Sequence, residues 1–379
     1  MKPRVAVICA SNPGNAGMYS VDMAAVDFMV RHNINFKLFS SHAPARFGRY
    51  RFLHLGLDIG HRSNERFGAL SFRRLENISQ LNKYSHVLYW GDFTPNPVYG
   101  YGDFHEVDKR YDVGSTRRES IDKWARLYNL SEGRINSKVI AVGNNFQHDY
   151  LKDFHIYEEF LENLESNFDL VMPRDPFSVQ NLQSFLGVNG KQKVRDGLDP
   201  AFLLSDKFKN IEKASSNTFC YFFGRSELSD ALKYAADLER EIGLKGVCFS
   251  KWLSLNSKTA DSVFMNYLFE IKKSRFLITD LYHLAINGIR MGIPVFCLGN
   301  PAQGQEGTIG DFKKKVLFKM LGLQNYYIEV EPNNSSELGR VIQFIEKALP
   351  FYEKNITEVY AKKRSIIEKF ESELLCQIL

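Results

Sequence analysis

Short, unbroken apolar runs alternate along this chain with longer stretches in which apolar positions recur at helical spacing. The first run, Val5-Ala-Val-Ile-Cys-Ala10, has strand length, and a helical pattern follows from 18 to 31. Between them lies the glycine-containing turn Ser11-Asn-Pro-Gly-Asn-Ala-Gly17. Strand, turn and helix in that order predict a βα unit whose helix N-terminus can hold an anion.

Further strands are predicted at 36–39, 86–90, 139–142 and 170–172, separated by helical or polar stretches, which is the alternation of a parallel sheet. Residues 1–205 therefore read as one Rossmann-like domain. A polar stretch at 205–217 marks a boundary. Beyond it, strands at 218–223, 245–249, 276–279 and 295–298 alternate with helices at 227–242, 262–273 and 282–291, predicting a second doubly wound domain over 206–350. Residues 351–379 predict a charged amphipathic helix, solvated or packed back on the first domain. The segments 44–82 and 94–117, rich in Arg, Gly, Asp and aromatics, read as long loops that would contact an acceptor. Around the second, Trp90, Tyr99, Tyr101, Phe104 and Tyr111 either stack on sugar rings or fill core.

Length agrees with two domains, since 379 residues exceed what one ordinary core holds. With 44% hydrophobic and 25% charged residues the chain is globular. No apolar run nears the roughly 20 residues of a bilayer span. No secretory leader pattern opens the sequence, so a cytoplasmic protein is expected. The five cysteines form no Cys-x-x-Cys pair and read as small buried hydrophobes. No His or carboxylate cluster has metal-ligand spacing, and no metal is expected. The net charge of +5 is spread out, which argues against nucleic acid. The densest cluster, Lys313-Lys-Lys315, suffices for a sugar phosphate, a diphosphate or peripheral contact with the inner membrane surface. Neither Gly-x-x-x-x-Gly-Lys nor Gly-x-Gly-x-x-Gly is present, so no ATP or NAD cofactor is predicted.

Two segments carry a family resemblance. One is Arg174-Asp-Pro-Phe-Ser-Val-Gln-Asn-Leu-Gln-Ser-Phe-Leu-Gly187, followed by Asp199-Pro-Ala-Phe-Leu-Leu204. The other is Ser274-Arg-Phe-Leu-Ile-Thr-Asp-Leu-Tyr-His283, continuing through Gly292-Ile-Pro-Val295 to the lysines at 313–315. Gly14-Asn15, Trp90-Gly91-Asp92 and Gly143-Asn144-Asn145 are weaker echoes in the same order. Together they resemble the polysaccharide pyruvyl transferase family. The resemblance implies a GT-B-like fold, two Rossmann-like domains facing a cleft. It also implies transfer of an enolpyruvate-derived unit from phosphoenolpyruvate, as co-substrate, to a glycan or lipid-linked sugar in surface polysaccharide biosynthesis. Two positions depart from the family pattern. Leu281 stands where an Arg usually precedes the His, and Met18 where an acidic residue commonly follows the Gly-Asn turn. A GT-B glycosyltransferase using a nucleotide sugar, bound near Gly224 and the 299–310 loop, is the alternative. A non-catalytic glycan-binding relative is a third reading.

Several residues are candidates for the chemistry. His283, at the predicted carboxyl end of a strand and matching the family His, would exchange a proton, or else be a hydrogen-bonded core histidine. Asp92 would activate an acceptor hydroxyl, or be a turn carboxylate. Arg174 would bind the donor anion at a cleft edge with Asp175 orienting it, or form a plain Arg–Asp pair in which Asp175 or Ser178 caps a helix. Gly14 and Asn15 would receive an anion at the first helix, and Lys313 a donor phosphate unless it lies on a solvated face. Arg225 is the preferred substitute for the missing Arg, ahead of Arg275 and Arg290, the last expected on a helix surface.

Overall fold

A computed structural model of the chain describes residues 2–9, 12, 14–40, 49–52, 57–61, 63–92, 94–102, 104–106, 116–148, 154–208, 210, 217–224, 231–303, 310–331 and 337–379. Its contacts divide it into two compact units. Met1–Pro13, Val21–Leu204 and Ser372–Leu379 make the first, and Gly14–Ser20 with Ser205–Glu371 the second.

The first unit is built on β1 (Arg4–Cys9), β2 (Asn35–Ser40), β5 (Asn64–Phe67), β6 (Leu70–Arg74), β7 (His86–Trp90), β8 (Lys138–Val142) and β9 (Leu170–Met172). They form one sheet in the order β5-β6-β2-β1-β7-β8-β9, parallel except for the β5–β6 pair. β3 (Arg49–Phe52) and β4 (Leu57–His61) make a separate antiparallel ribbon. Val5–Cys9 and Val87–Trp90 are wholly buried, as central parallel strands covered on both faces must be. The order reverses between β1 and β7. A ligand on such a sheet binds at the carboxyl ends of those two strands.

The segment expected to be one long loop, 44–82, contains β3 to β6. Leu70-Ser-Phe-Arg-Arg74 alternates buried Leu70 and Phe72 with exposed positions, a half-covered strand whose arginines disguise its period of two. In the second expected loop, Asn96 caps a short helix, α2 (Pro97–Tyr101), with Pro97 in its first turn. Trp90, Tyr99 and Phe104 are buried, so these aromatics fill core rather than present faces to a sugar. The side chain of Tyr101, and Tyr111, lie outside the described residues.

Helices α1 (Ala16–Arg31), α3 (Arg117–Tyr128), α4 (Phe154–Asn167), α5 (Pro176–Phe185) and α6 (Val188–Lys193) accompany these strands, the first turn of α1 grouping with the second unit. α3 starts in a capping box, where Thr116 accepts from the Glu119 N–H and Glu119 from the Thr116 N–H. It buries Trp124 edge-on against Phe160, ring centroids 5.1 Å apart.

The second unit holds an all-parallel sheet of β10 (Thr218–Phe222), β11 (Lys245–Cys248), β12 (Leu277–Thr279), β13 (Val295–Gly299) and β14 (Tyr327–Glu329), ordered β11-β10-β12-β13-β14. Here the reversal falls between β10 and β12. Helices α7 (Ala231–Ile242), α8 (Ala260–Lys273), α9 (Tyr282–Met291), α10 (Phe312–Met320) and the 42-residue α11 (Glu337–Ile378), which contains Pro350, complete it. α9 stops at Gly292, whose φ of 81° makes a left-handed cap. Among the described residues no helix is long and apolar enough to cross a membrane. Cys9, Cys220 and Cys297 are buried as expected, but Cys248 and Cys376 are exposed because they lie at a strand end and on the terminal helix.

Candidate active site

In the second unit the carboxyl ends of β10 and β12 are tied together, the Gly224 N–H donating to Asp280 Oδ1 at 2.8 Å. Immediately after Asp280, Leu281 is the N-cap of α9 and offers no side-chain cap. His283 follows in the first turn of that helix, half-buried, with its ring edge-on to Tyr282 at 5.1 Å. The Lys313 ammonium lies over the Tyr282 ring, 5.5 Å from its centroid. A cation on an aromatic face is held by the ring quadrupole, and here that ring, Tyr282, is the one against the imidazole.

Lys314 is buried and gives its ammonium to three oxygens: Asp280 O at 2.8 Å, Leu298 O at 2.6 Å and Asp311 Oδ1 at 2.8 Å. It therefore clamps the carboxyl ends of β12 and β13. Asp311 in turn accepts from the Asn300 N–H at 2.6 Å, tying the end of β13 to the start of α10. Burial pushes the Cys297 thiol beneath this clamp up to about 12, so it stays protonated and unreactive.

The first turn of α1 completes this edge. Asn15 Oδ1 accepts from the Gly17 N–H at 2.9 Å, Gly14 O accepts from the Leu255 N–H at 2.7 Å, and the Ala16 N–H donates to Trp252 O at 2.7 Å.

The corresponding edge of the first unit carries a buried polar network. Gly91 and Gly143, with φ of 90° and 70°, turn the chain sharply after β7 and β8, a conformation L side chains resist. The residues that follow them meet. Arg174 Nη1 reaches Asp92 Oδ1 at 2.6 Å, with both side chains essentially without solvent exposure. Asn144 Nδ2 donates to Gly91 O at 2.5 Å and Thr94 Oγ1 at 2.9 Å, and Gln147 Nε2 to Asp175 Oδ2 at 2.9 Å. Asn96 bonds Asn145 O and sits 3.2 Å from His148 Nδ1. Asp175 caps α5 through the Ser178 N–H at 2.7 Å. Burial raises the Asp175 carboxyl above its ordinary value, against the opposing pull of Arg174.

A model of the polysaccharide pyruvyl transferase family matches residues 58–301, well over half of the chain. The chain belongs to this family. No curated protein sequence matches it. Among solved structures, a Listeria monocytogenes protein described as a UDP-N-acetylglucosamine 2-epimerase is similar at a TM-score of 0.50 and 9% identity, over 99% of this chain and 97% of that one. An uncharacterised Klebsiella pneumoniae protein is similar at 0.45 and 14% identity, over 86% and 93% of the two chains. An Escherichia coli heptosyltransferase is similar at 0.40 and 12%, over 91% and 99%. The Listeria likeness shows a shared fold alone, and the two Rossmann-like units of this family member belong to the GT-B-like class.

The structure gathers Gly14, Asn15, His283 and Lys313 in the second unit and Asp92 with Arg174 in the first. Arg225 lies outside the described residues. Three expectations change. Arg174 is not at an open edge but buried on Asp92, and Asp92, a turn carboxylate, is buried against that guanidinium. Lys313 and Lys314 are buried, so the solvated-face reading fails for both. Arg290 is buried too, donating to Asn287 Oδ1 at 3.0 Å, while Arg275 faces Glu353 at 3.5 Å. Asn287, Asn96 and His148 were not among the sequence candidates, and Asn144 and Asn145 entered only as an echo of the family pattern. Asn287 had a signal: an amide one turn beyond His283 in an otherwise apolar helix. Among the described residues no group of three metal-ligating side chains assembles.

Proposed function

We propose that this family member transfers a pyruvyl group from phosphoenolpyruvate to two hydroxyls of a sugar, forming a cyclic ketal and releasing inorganic phosphate. The observation that carries the reading is the family match together with His283 at the carboxyl end of β12, beside the strand-order reversal of the second sheet. In the reaction the phosphoenolpyruvate methylene takes a proton and becomes a methyl group. One sugar oxygen then bonds to C2, a second sugar oxygen displaces phosphate from that carbon, and the two hydroxyl protons leave to the protonating group and to phosphate. Atoms balance: the sugar gains one pyruvate less one water.

His283 would deliver or take the proton, a role supported by its half-buried position at a helix start beside a strand's carboxyl end. Lys313, Gly14 and Asn15 border the same edge and would meet the donor's anionic groups, with Arg225 as a further ligand. In the first unit Asp92 and Arg174 act through one another, holding the turns after β7 and β9 that would receive the acceptor. The acceptor is a glycan or lipid-linked sugar of surface polysaccharide synthesis, met in the cytoplasm or at its membrane face.

A nucleotide-sugar donor is the second reading. It is favoured by the apolar surroundings of Gly224, where a side chain would meet Phe222, Leu253 and Leu281. A thermal-shift panel of phosphoenolpyruvate, UDP, GDP and CMP separates the two, since a ligand of the native state at about 100 times its Kd adds about 2.7 kcal/mol. Phosphoenolpyruvate alone should raise Tm. A rise with a nucleotide and none with phosphoenolpyruvate would replace the first reading by the second.

A further inference from the structure

We propose that Gly17 and Asn287 are positioning residues for His283, making the first turn of α1 the seat that fixes the imidazole. The inference rests on the reading that His283 takes part in the reaction.

Gly17 lies in the second position of α1 and is packed on the histidine. A Cβ built there would stand 2.6 Å from His283 Cβ and 3.1 Å from His283 Cγ, with Asn15 Oδ1 also at 3.1 Å. Contact at 2.6 Å is below anything two carbons tolerate, and the neighbour is the root of the side chain rather than a flexible tip. Any residue other than glycine must push the imidazole away from its present place. Helix propensity gives no reason for glycine here, because alanine is intrinsically the better helix former.

Asn287 holds the same seat from the other side. Its amide Nδ2 donates to Ser20 Oγ at 3.1 Å and to His283 O at 2.8 Å, and its Oδ1 accepts from Arg290 Nη2 at 3.0 Å. Both amide hydrogens and the carbonyl are thus used, in a residue with no solvent exposure. Ser20 Oγ donates onward to Gly17 O at 2.6 Å, which closes a circuit from Gly17 through Ser20 and Asn287 to the His283 backbone. The turn is itself tied to α8, the Tyr19 hydroxyl bonding Asp261, and Arg290, which holds Asn287, bonds Ser205 O at 3.3 Å. With its carbonyl tied by Asn287 and its Cβ seated on Gly17, the root of the imidazole is held for geometry, and catalytic groups are the ones that need it.

The test uses the full-length chain with Gly17→Ala and Asn287→Ala, and Gly17→Ala combined with His283→Gly. Three quantities are read: the His283 ring resonances in histidine-labelled protein, denaturant stability, and kcat and KM for ketal formation from phosphoenolpyruvate. Each single variant should shift the ring resonances, and kcat should fall roughly 10–100-fold with KM little changed, the scale of a misplaced reacting group. Gly17→Ala should lower Tm beside His283, yet cost less or even stabilise beside Gly at that position, a non-additivity that only direct contact produces. Additive stabilities with unmoved resonances would overturn the inference. Coupling and shifted resonances with turnover retained would overturn the role of His283 in the reaction on which the inference rests.

Discussion

The two sheets reverse strand order in the same way, yet their carboxyl edges are furnished for different ends. In the first unit the polar side chains at that edge are spent on each other: Arg174 on Asp92, Gln147 and Ser178 on Asp175, and Asn144 on Gly91 and Thr94. In the second unit a buried ammonium, Lys314, grips the strand ends, and the His283 ring stays half-buried. One edge carries side chains paired with one another, and the other carries a half-buried imidazole beside strand ends held by a buried ammonium. Similar topology therefore does not dictate equally furnished edges.

The widest separation between the edges should come from His283→Gln. Turnover should fall roughly 10²–10⁴-fold, the usual scale for losing a general acid or base, while the denaturation midpoint barely moves. Arg174→Ala should do the reverse. It strands the buried Asp92 carboxylate, and breaking such a pair costs about 3–5 kcal/mol, read as a fall in the urea midpoint. An intact midpoint with weakened phosphoenolpyruvate binding would move Arg174 from architecture to ligand.

Much of this frame was legible in the sequence, for physical reasons that also mark its limit. Helix 282–291 could be read because its apolar face is continuous and Gly292-Ile-Pro294 stops it. β5 and β6 could not, because arginines on their exposed positions mimic a loop. Single site residues were visible at strand ends, but their partners were not. Asp92 and Arg174 stand 82 residues apart, and Ser20 and Asn287 stand 267 apart. No local period encodes such pairs, so whether a charged group meets solvent or a counter-ion is decided only by the fold.

A smaller effect sits at the far end of α9. Lys363 Nζ caps that helix through Ile289 O at 2.9 Å and Arg290 O at 3.3 Å. Burial, together with the nearby charges of Arg290 and Lys272, brings its ammonium down to about 8 from 10.5. The unfolded chain keeps that proton to higher pH than the folded one, so stability should rise as pH passes from about 8 towards 10.5. The gain should be on the order of 1–3 kcal/mol. Lys363→Met should flatten this rise in urea titrations, and an unchanged slope would assign it to other groups.

The smallest change expected is Thr116→Ala, which removes the α3 cap from the first unit, at a cost of about 1 kcal/mol in stability. It should leave kcat untouched, a control showing that modest destabilisation of the first unit does not by itself reach the chemistry.

The most direct measurement is the mass of the product formed by the unmodified protein with phosphoenolpyruvate and a panel of p-nitrophenyl hexosides and N-acetylhexosaminides. The account predicts an increment of one pyruvate less one water on an acceptor, released phosphate in equal amount, and loss of both with His283→Gln. A hexose increment that needs a nucleotide sugar, with no pyruvyl product on any acceptor, would contradict it.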